Sequence, residues 1–154
     1  MNPLQFNLKS IKILRSEVRD HPVVFEDDFS QEDVDIEIEG SFSYFENYVQ
    51  NFMHFQFQLD KKGEKNITLG HFDLVYTYNV KDLQENLTDE EFKKFLRLSV
   101  LSISYSTSRG VIFSHSKGFA IGNFYLPPVS PNQLYKDLIK EEEDLVSAVI
   151  KKSK

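Results

Sequence analysis

The chain of 154 residues contains no cysteine and no tryptophan. The absence of cysteine excludes disulfides and thiolate metal ligands, and it is typical of a reducing compartment. No apolar run approaches the roughly 18 residues that a membrane-spanning helix needs. Residues 1–14 mix Gln5, Asn7, Lys9 and Lys12 with apolar residues, unlike a signal peptide. We therefore expect a cytoplasmic protein without a membrane span.

The chain also lacks a basic surface, since its formal net charge is -6. Binding to nucleic acid depends on a basic face that neutralises phosphates. The lysines and arginines are scattered except at Lys151, Lys152 and Lys154, which are best explained as complementing a helix C-terminal dipole. We expect no nucleic-acid partner.

Signals of catalysis and metal binding are weak. No pair of the four histidines has the spacing of a helical metal motif, and no cysteine can join them. Ser114 and His115 are adjacent, but no G-x-S-x-G surrounds them. The glycines never take the spacing of a P-loop or a dinucleotide fingerprint. The sequence therefore predicts no enzyme, no catalytic residue, no metal site and no cofactor.

Aromatic residues are abundant, with 14 phenylalanines and 7 tyrosines. One explanation is a phenylalanine-rich core. The other is a surface that binds apolar chains, because large exposed apolar patches usually mark interaction sites. Both explanations can hold together.

Alternating apolar residues predict the first two strands of a sheet. Leu4, Phe6 and Leu8 alternate with polar residues, and a change of phase near Lys9 and Ser10 indicates a β-bulge. The second strand has one apolar face and one acidic face. Its acidic residues are Asp35, Glu37 and Glu39. We interpret this acidic row as a solvated face, with a docking patch for a basic partner as the alternative.

Two longer strands follow, at residues 48–59 and 67–80. The polar segment 60–65 contains a glycine and predicts the turn of a hairpin. The alternation in the last strand slips at Gly70-His71. Long alternating strands with a short turn favour an antiparallel sheet.

Two helices are predicted after the strands, within a single domain of residues 1–154. Thr88 and Glu91 have the spacing of a capping box, which predicts a helix over 88–109 that stops at Arg109-Gly110. Residues 111–128 follow no period and predict an apolar crossover loop. Ser130, Pro131 and Gln133 predict the start of a second helix over 131–152.

Three serines of the first helix, Ser99, Ser102 and Ser106, fall on one face. Small residues on one face allow another helix to approach closely. The alternative is that each serine bonds back to the previous helical turn.

The order of these elements and several short motifs resemble the SecB family of export chaperones. Ser108-Arg109-Gly110 is similar to the family's Ser-Arg-Gly, and residues 124–129 followed by Leu134-Tyr135 look like its apolar-proline segment before the last helix. Residues 6–11 are similar to the family's first strand. The resemblance spans about residues 4 to 140.

The resemblance implies an α+β fold in which a four-stranded antiparallel sheet carries two C-terminal helices on one side. It implies a homotetramer, a dimer of dimers with Ser99, Ser102 and Ser106 in the interface. It also implies an ATP-independent holdase that binds unfolded polypeptides for export or handover. The side chains expected to bind peptide are Phe55, Phe57, Tyr76, Tyr78, Phe113, Phe119, Ile121, Phe124, Tyr125 and Leu126. For the four sheet rings among them, a plain core role is the alternative.

The family's partner is the translocase ATPase SecA, which docks on acidic positions of the first strand. Here Arg15 and Arg19 fall near those positions. A second hypothesis is therefore a dedicated interaction module, such as an antitoxin-protecting SecB-like chaperone or a phage adaptor. A third is a domain that binds a small apolar ligand on the curved aromatic sheet.

Overall fold

The computed structural model describes residues 3–20, 31–61, 64–123 and 126–138. These residues form strands β1 (Phe6–Val18), β2 (Val34–Tyr44), β3 (Tyr48–Lys61) and β4 (Glu64–Val80), and helices α1 (Leu83–Asn86) and α2 (Glu90–His115). A third helix, α3, is described from residue 131 to residue 138. Short 3-10 helices lie at Gln31–Asp33 and Ala120–Asn123. Within these ranges, no helix is long and apolar enough to cross a membrane.

The strands form one antiparallel sheet in the order β1-β4-β3-β2, which confirms the predicted four-stranded sheet. The hairpin strands β3 and β4 lie in the centre, and β1 and β2 form the edges. The predicted bulge is present, because the pairing of β1 with β4 shifts between Leu8 and Ser10. In β4 the pairing with β3 shifts at Leu69, one residue before the slip predicted at Gly70-His71.

The core lies between the helices and one face of the sheet. The odd-numbered residues of β3 from Val49 to Leu59 and the even-numbered residues of β4 from Phe72 to Val80 are buried on this face. Two buried hydroxyl pairs tie the central strand β4 to α2. Tyr76 Oη lies 2.6 Å from Ser108 Oγ, and Tyr78 Oη lies 2.8 Å from Ser104 Oγ.

The N-cap of α2 is Asp89, so the prediction of Thr88 was wrong by one residue. The carboxylate of Asp89 accepts hydrogen bonds from the backbone N–H groups of Glu91 and Phe92, at 2.9 and 3.2 Å. Aspartate is as good a cap as threonine or better, and its position lets one oxygen satisfy two free N–H groups.

The end of α2 was also predicted wrongly, because the helix continues through Arg109-Gly110 to His115. A glycine inside a helix costs about 1 kcal/mol relative to alanine, which does not stop a helix that is held by packing. Here Ser108 and Ile112 are buried on either side of Gly110. The first five residues of the predicted crossover are therefore helical, and the turn beyond them reaches Gly118, whose φ of 90° suits glycine.

Helix α3 begins at residue 131, as predicted, and packs on the same face of the sheet as α2. Leu134 and Leu138 are buried. Leu138 lies over β2, where a Cβ added at Gly40 would meet Leu138 Cδ1 at 3.0 Å. This confirms that the helices pack on one side. The predicted continuation of α3 to residue 152 lies outside the described residues.

Candidate functional site

A groove of about 270 Å³ lies beside the C-terminal half of α2. It lies between α2 and the part of the crossover segment at Leu126. Its walls are Phe57, Ser106, Arg109, Gly110, Ile112, Phe113 and Leu126. Most of these side chains are apolar or small, so the groove can accept an apolar side chain of another polypeptide.

Two hydrogen bonds from α2 hold the crossover at the groove. Arg109 Nε donates to the carbonyl oxygen of Leu126 at 2.9 Å, and Tyr105 Oη donates to that of Pro127 at 2.7 Å. A Cβ added at Gly110 would have no neighbour within 4 Å, so this glycine leaves open space over the helix backbone. The Ser-Arg-Gly motif therefore acts as an anchor: Ser108 binds the sheet, Arg109 binds the crossover, and Gly110 keeps the groove open.

A second groove, of about 490 Å³, lies between α2 and the edge strand β1. Its walls are Ile13, Ser106, Thr107, Gly110, Val111, Ser114 and His115. Ser106 and Gly110 line both grooves, which therefore flank the same stripe of α2. Beside it, Ser16 Oγ lies 2.8 Å from Nδ1 of His115, and this hydrogen bond joins β1 to the end of the helix.

The rings predicted to bind peptide are divided between the surface and the core. Phe113 and Phe119 are exposed, at 42% and 37%. Ile121 and Leu126 are buried, and Phe124 and Tyr125 lie outside the described residues. The four sheet rings are at most 4% exposed, which places Phe55, Phe57, Tyr76 and Tyr78 in the core of the chain. Burial raises the pKa of Tyr76, and that of Tyr78 to about 12.

Strand β1 was not predicted to be a binding surface. Four apolar side chains of this edge strand, Leu8, Ile11, Ile13 and Leu14, are 38% to 53% exposed in the single chain. The bulges absorb the change of phase, so Leu8, Ile11 and Ile13 all pair with core-face residues of β4, and Leu14 lies at the second bulge. The sequence signal for this surface was a predicted strand whose apolar residues occupy both phases of the two-residue alternation. This 13-residue edge strand, with its exposed apolar side chains, is a surface on which another strand can pair.

The acidic row lies on the opposite face of the sheet from α2, where Asp35, Glu37 and Glu39 are exposed. At the opposite edge of the sheet, Arg15 on β1 and Arg19 just after it both contact Glu17, at 2.9 and 3.4 Å. The hydrogen bond from Arg15 lowers the pKa of Glu17. Glu17 therefore partly neutralises the two arginines.

The same outer face carries a cluster that sequence reasoning missed. His54 on β3 pairs with Asp73 on β4, and His71 lies two residues before Asp73. Nδ1 of His54 lies 2.6 Å from Oδ1 of Asp73 and 3.2 Å from Nε2 of His71. Burial lowers the pKa of His71, and Arg15 lowers it further. Helical spacing does not reveal this cluster, because two paired strands bring its residues together.

The sequence matches no protein-family model and no curated protein. The structure is similar to that of the SecB-like chaperone Rv1957 of Mycobacterium tuberculosis, solved in complex with a ChAD peptide from the HigA1 antitoxin Rv1956. The TM-score is 0.57 at 15% sequence identity, and the match covers 81% of this chain and 90% of that chain. The fold is SecB-like.

The serine stripe lies on the outer side of α2 in this SecB-like fold. Ser99 and Ser102 are half-buried and Ser106 is exposed. Large apolar side chains surround them, since Phe95 is 57% and Ile103 is 39% exposed. The face has the small and apolar residues that a helix interface needs, and its role in an oligomer stays a prediction.

Proposed function

We propose that the protein is a SecB-like chaperone that holds non-native polypeptides in the grooves beside α2, without ATP. The observation that carries this proposal is the pair of grooves flanking one helix, with exposed apolar side chains at their rims. The protein of similar fold was solved with a bound peptide, which supports the same use of this fold here.

Burial of apolar surface supplies the driving force. Phe113 at the first groove and Ile13 at the second are both 42% exposed before any client binds. Apolar burial contributes about 25 cal/mol per Å², so covering roughly 200 Å² would contribute about 5 kcal/mol before ordering costs. Several weak contacts along an extended client would therefore add up to useful affinity.

The edge of β1 adds a contact that does not depend on client sequence. Backbone hydrogen bonds to a sheet edge form with almost any extended segment. Grooves that accept apolar side chains then give a broad preference for unfolded chains over folded ones. This combination explains how one site would serve many clients.

The proposal includes a cytoplasmic homotetramer, arranged as a dimer of dimers. The outer face of α2, with Ser99, Ser102 and Ser106 between exposed apolar residues, would form a helix interface. Handover to an export ATPase of the SecA type would use the acidic row of Asp35, Glu37 and Glu39.

A second candidate function is a dedicated chaperone for one partner. It is favoured by the structural neighbour, which was solved with a peptide from an antitoxin. A dedicated chaperone would use the same grooves but would select one segment. General unfolded clients would then bind weakly.

Aggregation assays with matched variants test the proposal. A reduced, unfolded client diluted from denaturant should stay in solution with the wild-type chain and without ATP. Phe113→Ser should weaken this protection, because Phe113 lines a groove. Lys117→Ser should retain it, because Lys117 is exposed after the end of α2 and lines neither groove. If the wild-type chain fails to protect several unrelated clients, the general chaperone proposal is wrong and the dedicated one is tested next.

A further inference from the structure

The outer face of the sheet, opposite the proposed peptide grooves, carries a compact group of three metal-ligating side chains. His54, His71 and Asp73 each offer one ligand atom, and these atoms all lie within 4.8 Å of one another. All three stand on the two central strands, which hold side chains more rigidly than loops do. Their role does not depend on the proposed chaperone function.

The separations between the three donor atoms fit one small ion. They are 2.6 Å from His54 Nδ1 to Asp73 Oδ1, 3.2 Å from His54 Nδ1 to His71 Nε2, and 3.7 Å from His71 Nε2 to Asp73 Oδ1. The circle through three such points has a radius of about 1.9 Å. An ion just outside their plane therefore reaches all three at roughly 2.0–2.1 Å, the length of zinc bonds to nitrogen and carboxylate oxygen.

The donor set decides the kind of ion. Two imidazoles and one carboxylate are ligands of zinc and related transition metals, whereas calcium and magnesium take oxygen ligands. The three side chains are 15% to 19% exposed, so the remaining side of the ion would face solvent. We propose that His54, His71 and Asp73 bind one zinc-type divalent ion, with water in the open position.

Some of the surrounding charges favour a bound cation and one opposes it. Glu39 on β2 pairs with His54, and Glu17 on β1 pairs with His71, so both carboxylates favour a cation here. Arg15 opposes it, because its Nη1 lies 3.3 Å from Nε2 of His71. Arg15 also bonds Glu17 and its side chain is 43% exposed, so the guanidinium can turn toward solvent when the ion binds.

Zinc titration of the untagged, full-length chain after treatment with a chelator tests the site. We expect one zinc ion per chain. His54→Gln, His71→Gln and Asp73→Asn should each weaken binding at least about tenfold, since each removes one of three ligands. His115→Gln is the matched control, because His115 lies at the end of α2, away from the cluster, and it should bind zinc as the wild type does. Arg15→Gln should bind more tightly.

Cobalt provides a second readout that does not depend on comparing variants. Bound in place of zinc, it should give the intense visible bands of a tetrahedral site, and zinc should remove them. Circular dichroism of each variant in chelator shows whether it is folded, and unfolded variants are left out of the comparison. The proposal is overturned if wild-type binding is no tighter than that of His54→Gln, or if cobalt gives only weak octahedral bands.

Discussion

The hydrogen bond between Tyr78 and Ser104 should be a main link between the sheet and α2. Both residues are 0% exposed, and their hydroxyl oxygens lie 2.8 Å apart. The other contact of Tyr78 Oη is the carbonyl of Val100 at 3.5 Å, which is too long for a good hydrogen bond. Ser104→Ala should therefore leave a buried hydroxyl without an adequate partner.

Leaving a buried polar group unsatisfied costs about 1–3 kcal/mol. Serine to alanine in a helix also gains a few tenths of a kcal/mol of helix propensity, which partly hides the loss. Ser106→Ala is the matched control, because Ser106 is exposed on the same helix and gains the same propensity; both variants are compared as monomers, since Ser106 also lies in the proposed oligomer interface. The free energy of unfolding should therefore be about 1–3 kcal/mol lower for Ser104→Ala than for Ser106→Ala.

Urea unfolding followed by circular dichroism measures this difference, at one protein concentration because association shifts apparent stability. Adding Tyr78→Phe to Ser104→Ala should recover part of the loss, since the unsatisfied hydroxyl is then removed. The reasoning is refuted if Ser104→Ala lies within about 0.5 kcal/mol of Ser106→Ala, a difference typical of surface sites.

Three further predictions concern α2 and Tyr78, and all are measured by urea unfolding. Asp89→Ala should lower stability by about 1 kcal/mol and Thr88→Ala by much less, because Asp89 makes both cap bonds; equal effects would contradict this cap. Gly110→Ala should raise stability by roughly 0.5–1 kcal/mol, because its Cβ meets nothing within 4 Å; a loss would reveal an unseen neighbour. Burial raises the pKa of Tyr78 to about 12 from 10.0, so the neutral form is favoured in the folded state. The contribution of neutral Tyr78 to the free energy of unfolding is therefore present below pH 10. It declines by about 1.4 kcal/mol per pH unit between pH 10 and 12. Tyr78→Phe should flatten this decline, and an unchanged slope would contradict the assignment.

The strands could be predicted because a two-residue period is a strong signal. The phase change near Lys9 and Ser10 located a bulge correctly. The helix end could not be predicted in the same way, since Gly110 looks like a stop until the buried contacts of Ser108 and Ile112 are known. The cost of about 1 kcal/mol for one glycine in a helix is smaller than the stabilisation that the buried residues on either side of it provide.

The candidate sites were harder to predict because they depend on contacts between distant elements. Spacing alone favoured the stripe of Ser99, Ser102 and Ser106, whereas the buried bonds come from Ser104 and Ser108, which meet sheet tyrosines. The histidine cluster depends on the β3–β4 register, which shifts twice between the turn and His54. A one-residue error in that register would have placed the two histidines on opposite faces.

The central claim is that this chain holds unfolded polypeptide, and the mass of its complexes tests it most directly. Size-exclusion chromatography with light scattering should be run on the purified protein alone and after mixing with a reduced, unfolded client at low denaturant, without ATP. We predict a tetramer that elutes together with client at a defined mass, and Phe113→Ser should retain less of the client. A monomer that elutes alone while the client precipitates would contradict the account.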